Sequence, residues 1–329
     1  MNIAFAFIMV VVLALVPLVG IKLGLSVVFA VVIPYAAIAI FAAGVCYRVV
    51  RWARSPVPFR IPATCGQQKS LPWIKSSPLE SPPNDFWMFG RMALEVLTFR
   101  SLFRNTNADL RDQQLSYGQN IWLWGAALAF HYSFLVVFLR HFRLFMEPVP
   151  FFVPMLQAVD GFFELSVPRL YVSGIVLILA VGYLFARRVV IPQVRYISLP
   201  ADYFPLFLIM GIGITGVLMQ QFWKVDIRAV KELTAGLFSL KPMVPAGIGA
   251  MFYVHLFLVA VLIAYFPFSK LTHMAGVFMS PTRNLANNNR ARRHVNPWNY
   301  PVKVHTYEEY EDEFRDLMKD AGMPLEKED

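Results

Sequence analysis

The residues of this sequence best suited to chemistry are histidines in apolar surroundings. The chain holds six histidines, and four of them lie within or at the edge of long apolar stretches: His131, His141, His255 and His273. An imidazole at bilayer depth is energetically costly and is usually functional. Haem iron accepts one axial ligand from each side, and histidine is a common axial ligand. Two pairs of such histidines therefore predict two haem sites.

Other uses of these histidines stay open from the residues alone, because a single membrane histidine can also hydrogen-bond across a helix contact. Proton relays usually involve Asp or Glu, and nonhaem metal sites gather several ligands, often carboxylates. None of the 21 acidic residues lies in the apolar stretches. The two cysteines, Cys46 and Cys65, are too few for an iron–sulfur cluster and form no metal motif.

The composition indicates an all-α polytopic membrane helix bundle. Of the 329 residues, 57% are hydrophobic and 16% are charged, whereas soluble proteins average about 25% charged residues. A membrane-spanning helix needs about 20 apolar residues. The sequence predicts six such helices, at about 2–20, 25–46, 119–142, 168–186, 203–222 and 249–268.

The chain is predicted to divide into five parts. These are an extra N-terminal transmembrane helix (1–24), a second transmembrane helix (25–46), a loop or interfacial insert (47–117), the helices that carry the histidines (118–273) and a polar tail (274–329). The first helix lacks a basic start and a cleavage pattern, so we expect it to be retained. The insert begins with proline clusters, turns helical at about 86–115, and is expected to start an amphipathic interfacial helix at Asp85. The tail carries an acidic helical run from Tyr307 to about Asp320.

The distribution of lysine and arginine predicts the orientation. With six spans, and counting cations as far as Arg293, eighteen lie on one side, including those of 47–117, and seven lie on the other. The richer side is expected to be cytoplasmic. The chain is therefore predicted to be a multi-pass protein of the cytoplasmic (inner) membrane with both termini on the cytoplasmic side. The cations flank the spans instead of forming one basic face, so lipid is an expected partner and nucleic acid is not.

Depth along two antiparallel helices predicts how the histidines pair. His141 should meet His255 on the outer side, and His131 should meet His273 on the inner side. Ten residues of helix rise about 15 Å and eighteen rise about 27 Å, so straight helices cannot satisfy both pairs. We expect a kink at Pro267 to absorb part of this mismatch.

His131 and His141 are ten residues apart, and His255 and His273 are eighteen residues apart. The last of these histidines ends the run Pro267-Phe268-Ser269-Lys270-Leu271-Thr272-His273. With this motif, the chain resembles the gamma (cytochrome b) subunit of respiratory nitrate reductase over about 118–285. The resemblance implies a five-helix dihaem core with two haem b groups, in a subunit that oxidises quinol. It also implies that His141 and His255 hold the outer haem and that His131 and His273 hold the inner one.

The extra first span, the long insert and the long tail resemble the membrane cytochrome b of the Dsr complex, which is linked to dissimilatory sulfur metabolism. That resemblance implies a cytoplasmic iron–sulfur partner similar to heterodisulfide reductase, and a second quinone-interacting membrane subunit. It further implies a periplasmic multihaem cytochrome c and a periplasmic iron–sulfur protein. A cytochrome b of another quinone-linked reductase, such as nitrate reductase, and a non-redox membrane protein are the alternatives.

The resemblance also implies a menaquinone or other quinone site beside one haem, most readily the outer one. Polar residues at the outer end of the third span form its candidate neighbourhood: Arg140, Asp160 and Arg169, with Arg143 and Glu164 also nearby. The lysine that the family carries in the following outer loop has no clear counterpart in this sequence. A membrane-edge cation or a haem propionate partner is the alternative for Arg140, and surface solvation is the alternative for Asp160 and Glu164. The sequence does not set the direction of electron flow.

Overall fold

The computed structural model describes residues 2–55, 67–111, 113–161, 170–289 and 304–327. Its helices, in chain order, are α1 (Asn2–Lys22), α2 (Ile33–Ala53), α3 (Asp85–Thr98), α4 (Arg100–Phe103), α5 (Ile121–Phe145), α6 (Phe152–Asp160), α7 (Val172–Val190), α8 (Pro192–Ile197), α9 (Pro200–Gln221), α10 (Ile227–Phe238), α11 (Ala250–Tyr265), α12 (His273–Gly276) and α13 (Tyr307–Asp320).

Six helical spans in the described residues are long and apolar enough to cross a membrane. They contain α1, α2, α5, α7, α9 and α11, and α2 is preceded by one π-helical turn, Val28–Val32. The predicted all-α membrane bundle is therefore confirmed. The outward faces of the spans are apolar, as Phe5, Ile8 and Leu15 illustrate, each more than half exposed. This arrangement is the one that a lipid environment requires.

The membrane-spanning helices pack side by side in a chain of neighbours. Helix α5 packs along α7, α7 packs along α9, and α9 packs along α11, while α1 contacts α9 and α11. One buried cluster of the core lies where Leu208 of α9 meets Val254 and Leu258 of α11. Gly24, whose φ of 79° favours glycine, lies in the short turn between α1 and the π-helical turn that precedes α2.

The stretch from His255 to His273 is not one continuous helix, and the break falls at Pro267, where the sequence predicts a kink. Helix α11 ends at Tyr265 and is followed by two 3₁₀ turns, Phe266–Phe268 and Lys270–Thr272. Between these turns Ser269 is extended, with φ −111° and ψ 176°. Because Pro267 has no N–H to continue the helix, the chain turns here, and a straight 18-residue rise no longer applies.

The insert is less helical than the sequence suggested. An antiparallel hairpin of β1 (Thr106–Arg111) and β2 (Gln114–Gln119) replaces the expected helix after about residue 105. Alternation of larger and smaller side chains in 115–118 suits a strand, and Gln113 supplies a left-handed turn with φ 65°. Helix α2 also continues to Ala53, so the insert begins later than expected.

The insert packs against the segment that follows α12. The buried Asn287 donates its side-chain N–H to Ser81 Oγ (2.6 Å) and its backbone N–H to Pro82 O (2.6 Å). Arg91 donates to Thr282 O at 3.2 Å. The two segments therefore form one layer outside the six spans, the extramembrane layer, next to the start of α5.

The acidic run of the tail forms α13 over Tyr307–Asp320. Its buried Glu311 pairs with Arg315 and accepts the backbone N–H groups of Glu326 and Lys327, which folds the C-terminal segment back on the helix.

Candidate functional site

The structure brings the four membrane histidines together as two pairs. His131 of α5 lies opposite His273 at the start of α12, with ring centres 6.0 Å apart and ring planes at 83°. His141 of α5 lies opposite His255 of α11, with ring centres 6.4 Å apart and planes at 8°. These are the same pairs that depth along the helices predicts.

All four imidazoles are oriented through Nδ1. In three of them Nδ1 lies within hydrogen-bond distance of a carbonyl oxygen three or four residues earlier: His131 with Ala127 (2.7 Å), His141 with Val137 (2.6 Å) and His273 with Lys270 (2.9 Å). A carbonyl can only accept, so Nδ1 carries the proton and Nε2 keeps its lone pair. Metal-bound histidines are typically oriented by this kind of bond.

Thr215 of α9 gives His255 the equivalent bond from another helix. The Thr215 hydroxyl donates to Gly211 O at 2.9 Å, so its oxygen is free to accept from His255 Nδ1, which lies 2.9 Å away. A Cβ on Gly216 would lie 3.4 Å from the ring of His255, so a small residue there suits this close approach. The sequence reasoning missed Thr215, whose only signal was a hydroxyl inside an apolar helix.

Two distant helices hold the turn that carries His273. Arg48 of α2 donates to Pro267 O at 2.6 Å, which satisfies a carbonyl at the helix break. Asp202, in the first turn of α9, accepts from Lys270 Nζ at 2.6 Å. A Cβ at Gly44 would lie 2.7 Å from the Pro267 ring, so glycine is needed for this close packing. In the sequence, Arg48 is recognisable only as one of the cations that follow the second span, and Asp202 gives no signal of its role.

The geometry of the two pairs fits haem. Two imidazole nitrogens, each about 2 Å from one shared metal atom, place the ring centres roughly 6 Å apart. Among the described residues no group of three or more His, Cys, Asp or Glu side chains could hold a metal ion. Each site thus offers two protein ligands, the number of axial positions that a porphyrin leaves open on iron.

The quinone-site candidates fall into two groups. Arg140 donates to Asp160 Oδ2 at 2.7 Å, and Ser173 donates both its N–H (2.7 Å) and its hydroxyl (2.6 Å) to the same carboxylate. The Arg140 guanidinium also lies 3.3 Å above the ring of Tyr171. Because Asp160 is buried in this ion pair, the alternative of surface solvation is wrong for it.

The other candidates for the quinone site, and the two cysteines, lie apart from this ion pair or outside the described residues. Arg143 is exposed at the end of α5, and Arg169 and Glu164 lie outside the described residues. Cys46 is free and exposed on α2, and Cys65 also lies outside the described residues.

A bundle of six spanning helices, crossed by two pairs of imidazoles, defines a helical membrane protein of the cytochrome b class. The family model of the nitrate reductase gamma subunit matches residues 92–293. The chain belongs to this family, as the histidine spacing predicted.

Two curated proteins are similar over most of their length. Both are named "Hdr-like menaquinol oxidoreductase cytochrome b-like subunit". The protein from Archaeoglobus fulgidus is 47% identical over 281 residues, covering 83% of this chain and 84% of the relative. The protein from Archaeoglobus profundus is 41% identical over 276 residues, covering 81% of each.

Proposed function

We propose that this chain is the dihaem cytochrome b subunit of a menaquinol oxidoreductase complex. It would exchange electrons between the quinone pool and an iron–sulfur subunit similar to heterodisulfide reductase. The observation that carries the proposal is the arrangement of the four histidines in two pairs, with ring centres 6.0 and 6.4 Å apart. The Nδ1 atom of each ring lies within hydrogen-bond distance of an oxygen. The names of the two relatives support the quinol substrate and the type of partner.

In this proposal the histidines are axial ligands of two haem b groups. Haem iron supplies a centre that takes up and releases one electron at a time. His141 and His255 hold the outer group, and His131 and His273 hold the inner one. The ten residues between the two histidines of α5 correspond to about 15 Å of rise, so the sites are stacked along the bundle.

The quinone site is proposed to lie beside the outer pair, next to Arg140 and Asp160. Quinol oxidation needs a group near the quinone oxygen that accepts a proton or a hydrogen bond. Arg140 directly precedes His141, and its buried Nε has no hydrogen-bond partner among the described residues. We propose that Arg140 donates from Nε to a quinone oxygen while Asp160 fixes its orientation. Arg169 is retained as a further candidate in this neighbourhood.

The proposed setting is the cytoplasmic membrane, with both termini and the extramembrane layer inside. The excess of cations on that side supports this orientation. The layer and the tail would receive the cytoplasmic iron–sulfur subunit. A second quinone-interacting membrane subunit, a periplasmic multihaem cytochrome c and a periplasmic iron–sulfur protein complete the proposed complex, whose role would be in dissimilatory sulfur metabolism.

Ligand replacement tests the central proposal. We expect His141→Ala or His255→Ala to remove one of the two haems from the purified chain and to leave the other. The haem content per chain, measured as the pyridine haemochrome, should fall by about half when one of two axial sites is lost. His305→Ala, in the polar tail, is the matched control and should bind the full content. Unchanged haem in both membrane variants would disprove the assignment.

A further inference from the structure

Helix α3 presents an apolar face that no part of the described protein covers. Phe86, Phe89 and Leu97 are 75%, 68% and 58% exposed, and the exposed Ala93 lies between them. Their spacing of three, four and four residues puts all four on one side of a helix. This face therefore holds two phenylalanines and a leucine in contact with the surroundings, and the exposed Asp85, four residues before Phe89, lies at its N-terminal edge.

The opposite face of α3 is fixed to the protein. Met92 is buried, and Arg91 donates a hydrogen bond to Thr282 O. Glu95 Oε1 lies 3.5 Å from Arg283 Nε. Because these contacts hold the helix at a fixed rotation, the apolar face cannot simply turn inward. The exposed stripe is a permanent feature of the fold.

The C-terminal end of α3 lies beside the membrane-spanning helix α5. Thr98 O accepts the indole N–H of Trp124 at 2.7 Å, and Leu97 O accepts the hydroxyl of Tyr132 at 2.8 Å. Trp124 and Tyr132 are three and eleven residues into α5, which is about 5 and 17 Å along that helix. The end of α3 is thus held beside the first half of a span.

The hydrogen bonds at this end suit a place without water. The last carbonyls of a helix have no partner within it, and lipid offers none. In α3 the two terminal carbonyls are bonded to α5. Leu94 O also accepts the Thr98 hydroxyl (2.7 Å), and Glu95 O accepts Phe99 N (3.1 Å). Side chains of the protein therefore donate the hydrogen bonds that water would donate to these carbonyls at an exposed helix end.

We propose that α3 lies in the membrane interface at the face where α5 begins, with Phe86, Phe89, Ala93 and Leu97 inserted among the lipid acyl chains. An amphipathic helix whose apolar face meets no protein is stable in this position. Its left-handed end residue Phe99 (φ 50°) contacts the ring of His131, with centres 4.8 Å apart. Lipid anchoring of α3 thereby steadies one wall of the inner histidine pair. The proposal rests on the fold alone and does not require the proposed quinone chemistry.

Site-specific quenching tests the position of α3. A fluorescent label is attached at Phe89→Cys in a chain that also carries Cys46→Ser and Cys65→Ser. The complete complex is reconstituted into vesicles of phosphatidylethanolamine and phosphatidylglycerol that contain lipid with a nitroxide on the acyl chain. Leu15→Cys on α1 serves as the bilayer control, and Lys75→Cys in the extramembrane layer serves as the aqueous control.

We expect the label at position 89 to be quenched by the lipid nitroxide several-fold more than the label at 75, and nearly as much as the label at 15. A water-soluble quencher should rank the three positions in the reverse order. Strong quenching of position 89 by the water-soluble agent would overturn the proposal. Protection from both agents would overturn it too, because the face would then be covered by a partner protein. Haem content is measured on the same samples, so failure of the proposed function is seen separately.

Discussion

At the scale of single residues, the Thr215 hydroxyl is the side-chain partner of His255 Nδ1, and in the proposed function it would influence how His255 binds a metal through Nε2. The bond from Nδ1–H to the threonine oxygen increases the basicity of the imidazole, which favours the more positive state of a bound metal. The other three histidines obtain this effect from backbone carbonyls of their own segment, which substitution cannot remove, whereas His255 has the Thr215 hydroxyl in addition to the backbone of Ile212. His255 is therefore the ligand whose orientation can be tested by mutation.

Thr215→Val should raise the midpoint potential of one haem and leave the other unchanged. Loss of one hydrogen bond of about 0.5–1.5 kcal/mol corresponds to roughly 20–60 mV for a one-electron couple. A spectroelectrochemical titration measures the two potentials separately. Thr215→Ser keeps the hydroxyl and should restore the original value. Equal potentials in the valine variant and the original chain would show that this bond does not tune the site.

Arg140→Gln should impair quinol oxidation more than it impairs haem binding. Glutamine loses the charge that pairs with Asp160 and leaves that buried carboxylate with one partner fewer, which typically costs a few kcal/mol locally. We expect the KM for a soluble menaquinol analogue to rise about tenfold or more, with the haem spectrum retained. Arg143→Gln, at the exposed end of the same helix, is the control. Unaltered kinetics in Arg140→Gln would remove this residue from the proposed quinone site.

At the scale of elements, the break after α11 depends on α2. Arg48→Gln should weaken the turn that presents His273, because Pro267 O loses its charged donor. A buried acceptor left without a partner costs about 1–3 kcal/mol. We expect less of the haem held by His131 and His273, and no change in the other haem. Optical spectra recorded during a redox titration distinguish the two. Arg51→Gln, exposed on the same helix, should behave like the original chain.

The extramembrane layer contains an element that should respond to acid. Burial tends to raise the pKa of the Glu80 carboxyl, but hydrogen bonds and charges from Arg100 and Arg104 outweigh it and hold that pKa below its usual 4.5. A lowered carboxyl pKa stabilises the folded state above the unfolded pKa, and this contribution is lost as the pH falls through the folded value. The contacts of α4 should therefore be constant near neutrality and weaken below about pH 4.5.

Hydrogen exchange of the α4 amides measures this effect. The opening equilibrium of α4 should rise several-fold between pH 5 and pH 3, after correction for the intrinsic exchange rate. In Glu80→Gln the helix should be less protected at neutral pH and should lose the part of the acid response that comes from the Glu80 carboxylate. Glu95, which accepts from the N–H and hydroxyl of Ser101 in α4, remains in this variant. A variant with the same acid response as the original chain would place its origin elsewhere.

At the scale of the whole molecule, the cation distribution predicts which surfaces share one side of the membrane. Cysteines placed at Lys75 and Met323 should react with a membrane-impermeant maleimide only when the cytoplasmic face of a vesicle is outside. A cysteine at Lys241 should react only in the opposite orientation, because the cation-rich side stays inside. These tests use the chain without Cys46 and Cys65. Labelling of Lys75 and Lys241 positions from one side would contradict the predicted topology.

The sequence revealed the spans and the histidine pairs because both follow from local rules. A run of about 20 apolar residues must cross the membrane as a helix, and antiparallel neighbours order their residues by depth. The geometry near His273 was harder to foresee. It depends on Arg48 and Asp202, which are more than 60 residues away in the chain and form contacts only in the folded bundle.

Two other features were missed for related reasons. Thr215 bonds its own backbone, as a threonine in a membrane helix commonly does, and nothing in the sequence indicates that His255 approaches it. The hairpin β1–β2 was taken for helix, since a short polar stretch carries a weak period and its pairing depends on the turn at Gln113. Both features arise from tertiary contacts that a residue pattern does not encode.

If the two pairs hold haem as proposed, the angle between the rings in each pair predicts a magnetic difference between the two sites. The rings of His141 and His255 are nearly parallel at 8°, and those of His131 and His273 are nearly perpendicular at 83°. Parallel axial rings act on the same d orbital of low-spin ferric iron and separate it in energy from its partner, whereas perpendicular rings leave the two nearly equal. Frozen oxidised samples should therefore give two electron paramagnetic resonance signals, one rhombic and one strongly axial. The two sites could then be distinguished by their spectra in the unaltered protein.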